Sequence, residues 1–327
     1  MDEMTSEEIH IVELHMMDKR KYFPLTIASN IAVRSLLYPF HVVRTHLQTQ
    51  VGKEAYSGTI DAFSKIYSSQ GLKGMYRGLP VHLCLVLPGV GYIYTYEYTR
   101  TFIKHHTSLS DMSKTLIAGG MASVVAQIFN TPFDIISQHM MLVDGRKQPM
   151  QGIKAKPAIQ KSLQQIHIPD EMKQKRFGVF QTVVKHVFKT DGILGFYRGL
   201  SMSMCLFVPN SALFWFFYEH LKGEMMSILP ESVPRMLINS IASPMAGVAA
   251  SIITNPVDVV KVRMQIKRTT LRETLRTLHR EEPYFWAVKG IYARLAHTSI
   301  SSITLIVGYE AVKRLSLKKQ YLEQVRW

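Results

Sequence analysis

Two cysteines in 327 residues, Cys84 and Cys205, leave no basis for a disulfide framework, and neither has a CxxC or Cys/His spacing that would hold a structural zinc. Both read as small apolar packing residues. The stretch Met1–Leu14 has no Lys or Arg but carries Asp2, Glu3, Glu7, Glu8 and Glu13, so an Arg-rich transit peptide is not expected, and no apolar signal core follows it. Nucleophile–base groupings, metal spacings and phosphate-binding loops are also missing, so the chain is read as a non-enzyme without a cofactor. Acids are scarce: 24 Asp and Glu against 39 Lys and Arg give a formal charge of +15, which attracts nucleic acid, an anionic membrane surface or an anionic solute. The basic residues gather around turns instead of forming one aromatic-interleaved face, which disfavours nucleic-acid binding.

What is present is a pattern stated three times. Pro39-Phe40-His41-Val42-Val43-Arg44, Pro132-Phe133-Asp134-Ile135-Ile136-Ser137 and Pro256-Val257-Asp258-Val259-Val260-Lys261 each set a proline in an apolar run, followed by polar residues at +2 and +5. Downstream come Gln70-Gly71 through Tyr76-Arg77-Gly78, Asp191-Gly192 through Tyr197-Arg198-Gly199, and Glu282-Pro283 through Val288-Lys289-Gly290, the first residue always seven before the basic one. Tyr96-Glu97 with Arg100, Tyr218-Glu219 with Lys222 and Tyr309-Glu310 with Lys313 close the units. Self-similarity of this kind decides the architecture before any local propensity does. The units are 1–108, 109–230 and 231–327, the second enlarged by a basic, Pro- and Gln-containing loop at 144–176.

Between the first two signals, Phe63 and Ile66, Val184 and Val187, and Leu275 and Leu278 sit at equal offsets, the one-sided spacing of a surface-lying helix. The stretches 22–48, 79–104, 112–141, 200–226, 233–265 and 290–314 are each long enough to cross a hydrocarbon layer of about 30 Å as a helix. Arg34, His41, Glu97, Asp134 and Asp258 fall within them and must face protein or a watery cavity. Small-residue clusters such as Ala118-Gly119-Gly120 suit close helix contact in a bundle. The expected fold is an all-α membrane protein of six transmembrane helices and short flanking helices in a pseudo-threefold bundle.

These signals closely resemble the mitochondrial carrier family (solute carrier family 25), and the resemblance covers nearly the whole chain. It implies a multi-pass protein of the mitochondrial inner membrane, monomeric, moving a small solute by alternating access between two gates. At the matrix gate it implies pairs Asp134–Lys261 and Asp258–Arg44, with His41 and Ser137 replacing the third acid and base and expected to share a neutral hydrogen bond. Gln48 and Gln265 match the family's bracing glutamines, with Met141 in the middle unit. At the cytosolic gate it implies Glu97–Lys222, Glu219–Lys313 and Glu310–Arg100. Pro39, Pro132 and Pro256 kink the helices beneath the cavity. Gly71, Gly78, Gly192, Gly199 and Gly290 are implied to expose helix amides to cardiolipin phosphates.

For the substrate, the family's contact positions fall on Cys84, Leu206 with Phe207, and Thr298, none of them charged. A strongly anionic substrate needs several cationic partners once stripped of water, which this set lacks. Arg34 adds one guanidinium five residues before Pro39, where the other units carry Gln127 and Ser251, and it suits a single carboxylate. Tyr92, Asn210 and Trp215 are expected to add walls and hydrogen bonds. Strings such as Tyr38-Pro39-Phe40, Pro209-Asn210-Ser211-Ala212 and Val307-Gly308-Tyr309-Glu310 are similar to those of a branched-chain amino acid carrier, implying such a substrate, with another small monocarboxylate or a cofactor as the alternative.

Overall fold

The computed structural model describes residues 16–50, 55–86, 88–107, 111–142, 177–230, 233 and 235–318. The acidic N-terminal stretch, the loop 144–176 and the final Arg326-Trp327 lie outside the described residues, as do the side chains of Glu97, Tyr309, Glu310 and Lys313. Three long helices each carry one of the repeated prolines: α1 (Lys19–Thr49) holds Pro39, α5 (Asp111–Leu142) holds Pro132 and α8 (Arg235–Lys267) holds Pro256. At about 1.5 Å per residue each is some 45–50 Å long, more than a hydrocarbon layer needs.

The return helices start from glycine. Gly78, Gly199 and Gly290 adopt left-handed φ values of 89°, 77° and 70° and precede α3 (Leu79–Leu83), α7 (Leu200–Ile228) and α10 (Ile291–Ser316). In the first unit the expected span 79–104 is not one helix: α3 passes into a 3₁₀ turn, Cys84–Val86, and resumes as α4 (Pro88–His106). Pro88 has no N–H to donate into a preceding turn and suits the first position of a new helix, where α4 begins. The short helices α2 (Thr59–Met75), α6 (Gly178–Asp191) and α9 (Leu271–Glu281) lie between, and Ile66, Val187 and Leu278 are their buried equivalents, whereas Phe63 and Leu275 remain exposed.

The packing repeats with the sequence. The return helix of each unit lies against the proline helix of the next: α4 on α5, α7 on α8 and α10 on α1. The three proline helices also touch one another. Close packing concentrates at the end beyond the prolines, where Tyr38, Val42, Val43, Leu47, Ile66, Met75 and Met141 form one cluster and Val259, Val260, Met264 and Leu278 another. Toward the other end the apolar side chains turn outward: Phe23, Ile27, Ile31 and Leu36 on α1 and Leu237, Ile241 and Met245 on α8 are exposed, a surface suited to lipid. Among the described residues, Ile193–Ile228 and Leu237–Lys267 are long and apolar enough to cross a membrane by composition alone. The remaining long helices carry ionisable residues within their spans, such as Arg34 and Asp134. Residues near the two ends of the described chain meet in an antiparallel bridge, Met17 with Leu317, tying the first unit to the third.

Gly78 shows how tightly the proline helices seat. A Cβ there would lie 2.7 Å from the Tyr38 hydroxyl and 3.0 Å from the Ser137 carbonyl oxygen, on a backbone that side chains avoid. Gly78→Ala is therefore expected to lower stability by at least about 1–2 kcal/mol, the usual cost of a left-handed residue alone. Thermal unfolding in detergent checks it, and an unchanged midpoint contradicts the packing.

Candidate functional site

A cavity of about 340 Å³ opens between α1, the α3 turn and α10, lined by Asn30, Val33, Arg34, Leu37, Tyr38, His41, Arg44, His82, His297, Ser301 and Leu305. All of these belong to the first and third units. Arg34 projects into it from half-buried backbone and makes no ion pair among the described residues, whereas Arg44 is engaged below.

The end beyond the prolines is closed by two ion pairs. Arg44 Nη2 lies 2.5 Å from Asp258 Oδ1, and Gln48 Nε2 donates to Asp258 Oδ2 at 2.6 Å, so a fully buried carboxylate has both oxygens bound. Lys261 Nζ donates to Asp134 Oδ2 at 2.7 Å.

The third contact differs from expectation. His41 and Ser137 do not bond: the Ser137 hydroxyl lies 3.3 Å from the Tyr38 hydroxyl and donates to Gly78 O at 3.4 Å. Tyr38, whose hydroxyl also donates to Arg77 O at 2.7 Å, reaches Ser137 first because its phenol spans the gap that an imidazole one turn along cannot. His41 instead packs on His82, ring centroids 4.8 Å apart, with Tyr38 edge-on at 6.2 Å. The glutamines also split. Gln48 braces as expected, while Gln265 accepts from Gln138 Nε2 at 3.0 Å and donates weakly to Ser203 at 3.5 Å, so it does not reach the Asp134–Lys261 pair. Met141 is buried.

Of the expected substrate contacts, Thr298 faces the seam between α8 and α10 and bonds Ser251 Oγ at 3.2 Å. Its neighbour His297 is the one that lines the cavity, since one residue turns a helix by about 100°. Counted from the left-handed glycines, His297 stands seven after Gly290 as Leu206 stands seven after Gly199, a register the sequence already contained. The Cys84 thiol donates within its own turn to Pro80 O at 3.5 Å, and His82 lines the cavity instead. Asn210 Oδ1 accepts from Thr254 Oγ1 at 2.9 Å and Arg294 Nη2 at 3.1 Å, a network that holds α7, α8 and α10 together. Leu206 is half-buried and Phe207 exposed. Trp215 is 58% exposed and five positions from Asn210, about 140° around α7, so the two do not share a face. Tyr92 stacks on Tyr96 along α4.

At the opposite end each expected pair includes a side chain outside the described residues. Lys222 lies 3.9 Å from Glu219 of its own helix and over the Tyr218 ring, and Arg100 is exposed.

One feature carried no sequence signal. Arg263, 1% exposed, donates to Gln48 O at 2.7 Å, to Gln50 O, and to Glu281 Oε2 at 2.8 Å, capping the C-terminal carbonyls of α1. A second recess of about 320 Å³ lies between the start of α2, with Ser57, Gly58 and Thr59, and Lys289-Gly290 before α10. Burial pushes the Lys289 ammonium below its ordinary range, against its 2.9 Å pairing with Glu282. Asp191 likewise meets Arg198 at 3.3 Å and Arg268 at 3.4 Å, joining residues seven apart in the second unit.

Sequence comparison agrees with this threefold geometry. The family described as mitochondrial carrier protein matches three times, at residues 21–107, 109–228 and 232–320. Solute carrier family 25 member 44 is 35% identical over 321 residues in Homo sapiens and over 325 in Mus musculus, covering 98% of both chains in each case. Mitochondrial substrate carrier family protein H of Dictyostelium discoideum is 26% identical over 334 residues, 90% of each chain. With three matched units, three converging proline helices and a cavity above paired charges, the chain belongs to the mitochondrial carrier family of solute transporters.

Proposed function

We propose that this carrier moves neutral, apolar amino acids of the branched-chain type across the mitochondrial inner membrane into the matrix, by alternating access. The observation that carries the reading is Arg34, the one guanidinium among the described lining residues that makes no ion pair, set among Val33, Leu37 and Leu305. One carboxylate can be gripped bidentately there while an aliphatic side chain meets apolar walls. The volume, near the low end of ordinary ligand pockets, suits a small solute. His297 joins Arg34 as a proposed contact. The paired charges Arg44–Asp258 and Lys261–Asp134, with Gln48, act as the matrix gate, and the open end, with Glu97, Arg100, Glu219, Lys222, Glu310 and Lys313, as the cytosolic gate. The two ion pairs closing the end beyond the prolines fit a carrier whose matrix side is shut.

Among the described residues the cavity lining has no acidic side chain to meet an α-ammonium group, which favours a small monocarboxylate as the competing substrate. The recess beside Lys289 and the amides beginning α2 and α10 provide a place for a lipid phosphate, and cardiolipin is the proposed occupant.

Reconstitution in liposomes with labelled leucine, valine and isoleucine, beside a short 2-oxo monocarboxylate, separates the two substrates. Losing a charge-assisted bond of about 1.5–3 kcal/mol, Arg34→Ala should take up the preferred substrate roughly 10–100-fold more slowly. Uptake equal to the unmodified carrier removes Arg34 from the site.

A further inference from the structure

The floor of the cavity holds a group that substrate binding and ion pairing leave unexplained. His41 on α1 and His82 on α3 face each other at 4.8 Å between ring centroids. Each has a buried ring nitrogen without a hydrogen-bond partner, Nε2 of His41 and Nδ1 of His82. Buried polar atoms are almost always satisfied, so two orphans on touching rings call for a reason. A metal is not the reason, because no three His, Cys, Asp or Glu side chains among the described residues lie close enough to hold one. His297 of α10 lines the same cavity.

We propose that His41 and His82 form a proton-carrying pair, so that one proton crosses the membrane with each substrate molecule. This rests on the reading of Arg34 as the carboxylate grip. The charged and titratable groups facing the pair are Arg34 and Arg44 from α1, Lys261 from α8, His297 from α10 and Asp134 from α5. Tyr38 and Ser137, the other polar groups at hand, are occupied with each other. A carboxylate arriving at Arg34 cancels one positive charge beside the pair, which favours a proton there. By linkage the proton strengthens carboxylate binding by the same factor.

The step balances simply. A proton leaves water at the open end and forms an N–H bond on one imidazole nitrogen. When the opposite end opens, the carboxylate departs, that N–H bond breaks and the proton returns to water on the other side. No electrons move, and one positive charge crosses with each zwitterionic amino acid.

The test uses the full carrier in liposomes with the membrane potential clamped, an outside pH one unit below the inside, and labelled leucine at equal concentration on both sides. Coupling one to one drives leucine to accumulate inside by up to about tenfold, the free energy of a tenfold proton gradient. A pH-sensitive dye inside the liposomes should report acidification that depends on added leucine. His41→Gln and His82→Gln should each bring the leucine ratio to unity, whatever their rate. Leucine that exchanges across the unmodified carrier without accumulating and without acidification overturns the coupling while the substrate reading stands. Accumulation undiminished in both variants overturns the assignment to this pair. Absence of leucine uptake by the unmodified carrier overturns both readings, and the dye arm needs no variant to fold.

Discussion

Asp258→Ala lowers the stability of the carrier by about 3–5 kcal/mol, the range for removing one partner of a buried charge pair. The carboxylate is fully buried and accepts from Arg44 and Gln48 at once. Its loss strands a guanidinium whose side chain is only 17% exposed, and leaves the Gln48 amide without its acceptor. Asp258→Asn keeps the shape and the bond from Gln48 but not the charge, and falls between. The double variant Arg44→Leu, Asp258→Ala recovers part of the loss, because replacing both members of a buried pair by apolar groups removes the uncompensated charge. Thermal unfolding in detergent measures all three. A double variant no better than Asp258→Ala would show that the pair is not what stabilises this end.

Arg263→Met comes next, at about 2–3 kcal/mol. Methionine fills part of the space but donates to nothing, so Gln48 O is left buried without its donor. Gln50 O keeps the Lys289 ammonium at 3.0 Å and Glu281 keeps Lys267 at 3.5 Å, which limits the damage. The lost charge also faced the negative end of the α1 dipole. Arg263→Lys should recover little, since one ammonium cannot reach three acceptors that the planar fork meets together. A lysine variant as stable as the original would mean that charge and not geometry holds the α1 terminus.

The threefold plan was legible because each unit repeats residues whose spacing is set by one helix: Pro39 to Arg44, Gly78 after Arg77, Gln48 one turn beyond Arg44. The contacts Arg44–Asp258 and Lys261–Asp134 are those that the family resemblance implies at these positions. Legibility failed where one side chain competes with another from a different helix. Nothing in the spacing says that the Tyr38 phenol takes Ser137 and turns His41 onto His82. Thr298 lies in a helix seam while its neighbour His297 lines the cavity, since one step on a helix is over a quarter turn. Arg263 belongs to no repeated signal and fills a place that only the folded end of α1 creates.

The neutral Tyr38–Ser137 contact has a mechanical consequence. The first and third units are fastened by Arg44–Asp258, by Arg263 and Lys289 on the end of α1, and by backbone at Met17 and Leu317. The second and third share Lys261–Asp134 and Arg268–Asp191. Between the first and second, the described polar fastenings are uncharged on at least one side, such as Ser137 with Gly78 and His46 with the Met141 carbonyl. Such bonds exchange for water at small net cost, whereas a buried ion pair does not. Of the three seams of the ring, the one between the first and second units therefore has the least resistance to water among the described contacts, and the third unit is the best-anchored of the three.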